Sequence, residues 1–220
     1  APAWTLGTRP GLNTLSASVP GVNPLTFRAS ADPGPPGRVT VLLGDGQTGT
    51  VATVLPERPT LLVADGFGNP LEGVPVTFEV TSGGGTVVDG EQVSGSSGAV
   101  VSGPWSLGPD AGVQTLGVNV PGMEPLTLSA TALPGPPAHA FPWGGEEQSA
   151  TVGTDVPDPP AVRVEDGYGN AVPEVGVLFT LPEGPVDAPA GPEEAGAGEE
   201  VVTDAEGVAA VERWTLGHIS

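Results

Sequence analysis

The sequence contains no cysteine and no lysine, and aromatic residues make up only 5% of it. Without cysteine, neither disulfide bonds nor thiolate metal sites can form, and without lysine the chain cannot make a Lys–Asn isopeptide bond. No run approaches the roughly 18 consecutive apolar residues that a membrane-spanning helix requires. Stability therefore has to come from packing and hydrogen bonding, or from association.

Positive charge is also scarce. Six arginines face 26 acidic residues, which gives a formal net charge of −20. A protein that binds nucleic acid needs a basic patch to displace counterions, and anionic membrane surfaces attract basic segments for the same reason. The charge balance argues against nucleic acid and membrane as partners, and no pattern in the chain calls for a cofactor.

What the sequence does contain is a repeat about 100 residues long. The segment Trp4–Gly7 returns as Trp105–Gly108 and again as Trp214–Gly217, at intervals of 101 and 109 residues. The segment Asp65–Asn69 returns 101 residues later as Asp166–Asn170. This period is too long for a solenoid unit and suits a small domain used repeatedly. The chain reads as part of a domain array, which usually spaces or displays other parts.

Each copy of the repeat shows the alternation of apolar and polar residues that is typical of half-buried strands. The 35 glycines and 27 prolines punctuate these runs as turns. No window shows sustained helical periodicity. The sequence therefore predicts an all-β protein built of tandem Greek-key β-sandwiches.

The order of the recurring turns and strands within the repeat resembles bacterial immunoglobulin-like domains, most closely the Big-1 type of intimin- and invasin-like surface proteins. The residues that carry the resemblance are Asp65–Phe78, Gly83–Gly85, Thr203–Ala209 and Trp214–Gly217. The resemblance implies tandem immunoglobulin-like sandwiches that form rigid extracellular stalks, with binding usually done by a different terminal domain. The first copy has Gly95–Gly98 in place of Thr-Asp-x-x-Gly, which predicts a remodelled edge there.

The chain is out of phase with the domain that the resemblance implies. Residues 38–133 make one complete domain, flanked by Pro/Gly linkers at 32–37 and 134–137. Residues 1–31 correspond to the terminal strands of a preceding domain. Residues 138–220 correspond to a domain that lacks its last two strands, which are the ones that 1–31 would supply.

An incomplete sandwich leaves part of its core uncovered and its strand edges unpaired. Residues 1–31 of another molecule could complete 138–220 and give a head-to-tail fibre; alternatively, covalently continuous neighbouring repeats supply the strands, or 1–31 folds back within the same chain. We expect the inserting residues to be Leu15, Val19, Leu25 and Phe27. We expect the acceptor groove to be lined by Val177, Phe179, Trp214 and Leu216.

The sequence thus predicts a non-enzymatic structural subunit or segment of an extracellular filament or cell-surface stalk, whose partner is itself. The alternative is an adhesion module that recognises a glycan or a host protein through loops at one end of a sandwich. Trp143 lies outside the repeat pattern and is the exposed aromatic that would suit a sugar. His139 and His218 have no Gly-x-Ser-x-Gly elbow to support a catalytic triad.

Two recurring polar pairs offer a further alternative. Asp65 with Asn69, and Asp166 with Asn170, carry the oxygen ligands that calcium prefers. The other interpretation is an Asx-type turn, in which the carboxylate accepts hydrogen bonds from its own turn. The acidic segment at 183–206 is interpreted as a solvated loop.

Overall fold

The computed structural model describes residues 3–180 and 198–215, and the chain divides into two compact units, 1–132 and 133–220. The described residues form strands and turns without helices. No helix in them is therefore long and apolar enough to cross a membrane. Most of the predicted acidic loop lies outside the described residues.

Twelve strands belong to the first repeat and the hairpin that precedes it. They are β1 (Gly11–Ala17), β2 (Leu25–Ala31), β3 (Pro36–Leu43), β4 (Gln47–Thr50), β5 (Thr60–Asp65), β6 (Pro75–Ser82), β7 (Thr86–Val87), β8 (Glu91–Val93), β9 (Ala99–Val101), β10 (Trp105–Ser106), β11 (Gly112–Asn119) and β12 (Leu126–Leu133). Strand β3 begins at Pro36, inside the predicted linker, and proline is tolerated at the first position of a strand.

Strands β3 to β12 build a sandwich around one core. One sheet has the order β3-β5-β9 and the other β4-β12-β11-β6-β8, with a short β7-β10 ladder beside them. Neighbouring strands come from distant parts of the chain, as Greek-key connectivity predicts. The core contains Leu61, Phe78, Trp105, Leu116 and Leu128, all nearly or fully buried. The predicted all-β sandwich is confirmed.

The edge expected to be remodelled in the first copy keeps its geometry. The Ser94 hydroxyl donates to the Leu71 carbonyl and accepts from the Val74 amide. In the second copy the Thr203 hydroxyl makes the same two contacts, with Val172 and Val175. The prediction was wrong because a serine supplies the same oxygen as the threonine, and the glycine-flanked turn closes without the aspartate.

The second unit repeats part of this plan with five strands among its described residues. They are β13 (Pro137–Gly144), β14 (Ala161–Asp166), β15 (Gly176–Thr180), β16 (Gly198–Val202) and β17 (Val208–Ala210). The sheet β13-β14-β17 matches β3-β5-β9, and the pair β15-β16 matches β6-β8. Counterparts of β11 and β12 do not occur among the described residues of this unit.

The hairpin β1-β2 has the strand register of β11-β12, displaced by 101 residues. Leu15 lies opposite Phe27, as Leu116 lies opposite Leu128. However, among the described strands β1 and β2 pair only with each other. The hairpin is thus formed as in the complete sandwich, but without the sheets that bury its apolar face there.

Candidate assembly site

The second unit has a groove where the first unit has β11 and β12. The groove has a volume of about 740 Å³. It is lined by Pro142, Val162, Phe179, Val211, Arg213, Trp214 and Thr215, with Glu146 and Glu199 among its polar residues. Val162, Phe179 and Trp214 correspond by the repeat offset to Leu61, Phe78 and Trp105 in the core of the first unit.

Strand β15 has one described hydrogen-bonded neighbour, whereas its counterpart has two. In the first unit β6 lies between β8 and β11. In the second unit, within residues 133–180 and 198–215, β15 pairs only with β16. The carboxyl-terminal part of β15 carries Phe179, which corresponds to the buried Phe78 and is here half-buried. Within the part of the chain that the structure describes, β15 therefore has an unpaired edge beside the groove.

The loop on the other side of the groove also differs from its counterpart in the first unit. Residues 47–50 form β4 by pairing with β12, whereas the equivalent residues 148–151 form no strand. Next to them, Val152 is 57% exposed, while the corresponding Val51 is buried in the core. Both differences follow from the absence of a β12 counterpart from the described part of the unit.

Trp214 is held in position but not covered. The Val156 amide donates to its carbonyl at 2.9 Å, as the Leu55 amide does to the Trp105 carbonyl. Trp214 is nevertheless 37% exposed, whereas Trp105 is fully buried. The backbone thus holds Trp214 as it holds Trp105, while the described residues cover its indole less completely.

Two of the four predicted acceptor residues, Phe179 and Trp214, line the groove. Val177 lies two residues before Phe179 on β15 but lines a separate pocket with Pro137 and Val164. Leu216 lies outside the described residues. The sequence did not single out Val211 and Arg213, because the corresponding residues of the first copy, Ser102 and Pro104, are of different chemical types.

The four predicted donor residues all lie on or next to the β1-β2 hairpin and are exposed. Leu15 is 42% exposed and Phe27 is 52% exposed, while their counterparts Leu116 and Leu128 are fully buried. Val19 and Leu25 are exposed to a greater extent. The hairpin therefore presents an apolar face that, in the same register, forms core in residues 38–133.

The recurring Asp/Asn pairs organise turns at the start of each sandwich. Asp65 Oδ1 accepts from the amides of Phe67 and Asn69, and its Oδ2 accepts from the Asn69 side chain and the Gly34 amide, at 2.8–3.0 Å. Asn69 also donates to the Thr8 carbonyl at 2.8 Å. The side chain of Asp65 thereby ties the turn to the Pro/Gly segment that precedes β3.

Asp166 repeats this arrangement in the second unit. It accepts from the amides of Tyr168 and Asn170, from the Asn170 side chain and from the Gly135 amide at 2.7–2.9 Å. The arrangement is the Asx-type turn. With four N–H donors on each carboxylate, the oxygens that would ligate calcium are already occupied, and groups of three or more metal-ligating side chains are absent from the described residues.

These hydrogen bonds favour the ionised carboxylates. The Asn69 side chain, followed by the backbone amides, outweighs the opposing effect of burial and lowers the pKa of Asp65 to about 2. Burial is the largest effect at Asp166 and opposes ionisation, but the bonds from Asn170, Gly135 and Tyr168 together lower its pKa to about 2 as well. Both carboxylates are therefore charged at neutral pH.

Trp143, the predicted sugar-stacking residue, is 55% exposed on β13. The Arg163 guanidinium lies 4.7 Å from the centre of its ring, within the range of a cation–π contact. Arg163 also forms an ion pair with Glu165 at 3.0 Å. The indole of Trp143 is thus an accessible aromatic surface that Arg163 of the neighbouring strand β14 contacts.

The chain is similar to several solved structures. InvD of Yersinia pseudotuberculosis is similar over 98% of this chain and 65% of its own, with a TM-score of 0.50 and 16% identity. The adhesin InvE of the same organism is similar over 80% of this chain and 51% of its own, with a TM-score of 0.37 and 20% identity. Domains 4–9 of the surface layer protein SbsC match 95% of this chain and 35% of theirs, with a TM-score of 0.39 and 16% identity.

The likeness to InvD confirms the tandem immunoglobulin-like fold. The chain spans 65% and 51% of the lengths of the InvD and InvE structures. No protein-family model matches the chain, and no curated protein matches it in sequence.

Proposed function

We propose that this chain is a structural segment of an extracellular or cell-surface filament, assembled head-to-tail by strand complementation. The hairpin β1-β2 of one copy inserts into the groove of the second unit of the next copy. The observation that carries the proposal is the correspondence between the two: an exposed hairpin with the register of β11-β12, and a groove at the place of β11-β12.

The register of insertion follows from the complete sandwich. There, Val118 of β11 lies opposite Phe78 of β6, and Asn119 opposite Thr77. Subtracting the repeat from the first partner and adding it to the second sets Ala17 opposite Phe179 and Ser18 opposite Leu178. Strand β1 would thereby pair with the open edge of β15, and β2 would lie beside residues 148–151 as β12 lies beside β4.

Each insertion fills one groove and leaves a free hairpin at one end of the pair and an open groove at the other. Such a heterologous contact does not close on itself and propagates into a filament. The Asp65 and Asp166 side chains bond their turns to the preceding Pro/Gly segments through Gly34 and Gly135. These bonds fix where the chain enters each sandwich. The role is mechanical and non-catalytic, and the chain belongs with the Big-1 type in this proposal.

Negative-stain electron microscopy with sedimentation velocity over a concentration series tests the proposal. Beaded fibres and a rising sedimentation coefficient are expected as the concentration increases. A variant lacking residues 1–31 should stay dispersed. Dispersed particles of the full chain at every concentration would overturn self-complementation and favour strands supplied by a covalently continuous neighbour.

A second candidate function is recognition of a glycan, and Trp143 favours it. An exposed indole next to an arginine is a surface on which a sugar ring can stack while its oxygens accept hydrogen bonds from the guanidinium. Saturable binding of an oligosaccharide that is lost in Trp143→Ala, with unchanged assembly, would support this function. Equal binding by both proteins would exclude Trp143 as the site.

A further inference from the structure

The loop before β4 makes the contact that fixes β12 in the complete sandwich. Asp45 Oδ1 accepts from the Ser129 amide at 2.8 Å, and the Ser129 hydroxyl lies 3.3 Å from the same oxygen. The Gly46 amide donates to the Ser129 carbonyl at 2.9 Å. Ser129 is therefore the residue of β12 that this loop recognises.

The second unit has the same loop, but no described strand lies beside it. Gly145 has a positive φ of 78°, as Gly44 has one of 86°. A Cβ on Gly145 would lie 2.6 Å from the Cα of Pro160, and a Cβ on Gly44 would lie 2.6 Å from the Cα of Pro59. The Gln148 side chain bridges the loop to the backbone of Asp158, as Gln47 does to Glu57.

The residues that would meet at the proposed joint carry opposite charges. Glu146 occupies the position of Asp45, and it is exposed at the groove. Arg28 occupies the position of Ser129, because it lies opposite Thr14 as Ser129 lies opposite Thr115. Arg28 is also exposed, and is one of only six basic residues in the chain. A Ser–Asp hydrogen bond within the chain is thus replaced by an Arg/Glu combination at the open surfaces.

We propose that Arg28 of one copy pairs with Glu146 of the next, and that this ion pair makes a second copy of this chain the preferred occupant of the groove. The inference rests on the proposed strand complementation and names its partner. The backbone amide of Arg28 can donate as that of Ser129 does, and the guanidinium can replace the Ser129 hydroxyl with charge-assisted bonds. Each chain carries a net charge of −20, so a local attraction at the insertion point also offsets the repulsion between copies.

Charge reversal of each partner separates this pair from general electrostatics. In Arg28→Glu an acidic side chain faces Glu146, and we expect the concentration for assembly to rise about tenfold or more. In Glu146→Arg two basic side chains meet, with a similar loss. The double variant restores opposite charges and should assemble nearly as the wild type does. Arg38→Glu, on an exposed position of β3, is the matched control for net charge.

Sedimentation velocity of the full-length variants at fixed ionic strength measures these effects. Recovery in the double variant, with Arg38→Glu close to wild type, is the expected result. If Arg28→Glu and Arg38→Glu assemble alike, the pair is overturned while complementation stands. If the double variant is no better than its parents, the pair is likewise overturned. If the wild-type chain does not assemble at any concentration, both the pair and the proposed function fail.

Discussion

Replacement of Phe27 by aspartate is the most informative change to the hairpin. Phe27 is 52% exposed in the free chain, so an aspartate there should leave the folded monomer nearly unchanged. Its counterpart in the complete sandwich, Leu128, is fully buried. If the hairpin inserts as proposed, the side chain at this position moves from water into a core.

The magnitude follows from that transfer. Full burial of a phenylalanine contributes about 1.5–3 kcal/mol, so burial of the exposed half contributes roughly 0.8–1.5 kcal/mol. Phe27→Ala should therefore weaken association about four- to twelvefold. Aspartate also brings an unpaired charge into the core, which costs several kcal/mol more. Phe27→Asp should weaken association by about 1,000-fold or more.

Sedimentation velocity of the full chain, with circular dichroism to confirm folding, is the assay. Thr26→Asp is the matched control, because the corresponding Thr127 is exposed in the complete sandwich. We expect Thr26→Asp to assemble at concentrations close to those of the wild type. Equal assembly of Phe27→Asp and Thr26→Asp would refute the insertion of this face of the hairpin.

Two further predictions concern the sandwiches themselves. Because the pKa values of Asp65 and Asp166 are lowered from 3.8 to about 2, the stability they contribute is present above about pH 4 and lost as the pH falls towards 2; Asp65→Asn with Asp166→Asn should flatten this acid dependence of the urea midpoint. A pH profile of the double variant identical to that of the wild type would contradict this role of the two carboxylates. Trp105→Ala removes a fully buried indole and should lower the free energy of unfolding by about 3–5 kcal/mol. Trp214→Ala, at an indole that is 37% exposed, should lower it by roughly half as much in unassembled protein. Equal costs in urea unfolding would show that the groove is already filled.

Much of the fold could be predicted from the repeat and the alternation of apolar residues. The period-2 runs around Leu15 and Phe27 have the predicted strand pairing, because such a pattern has one face to bury. The edge at Ser94 was mispredicted, because comparison of identities treats serine and threonine as different while the turn needs only their hydroxyl oxygen.

The assembly site was predictable where the copies match and obscure where they differ. Phe179 and Trp214 repeat Phe78 and Trp105, so the repeat alone predicted that they would line a groove if the last two strands were absent. The Arg28 and Glu146 pair could not be found in this way, because the corresponding residues of the first copy are Ser129 and Asp45. It emerges only once the structure shows which loop contacts Ser129, since no sequence pattern links positions so far apart.

An engineered disulfide across the proposed joint tests the central claim most directly. The natural chain has no cysteine, so Ser18→Cys with Leu178→Cys introduces the single reactive pair, at positions that complementation places directly opposite each other. Ser16→Cys with Leu178→Cys is the control, because a diagonal separation of about 7–8 Å exceeds disulfide reach. After mild oxidation, non-reducing electrophoresis should show a ladder of covalent oligomers for the first pair and little for the second. A monomer cross-linked within itself, or the same products from both pairs, would contradict head-to-tail complementation between copies.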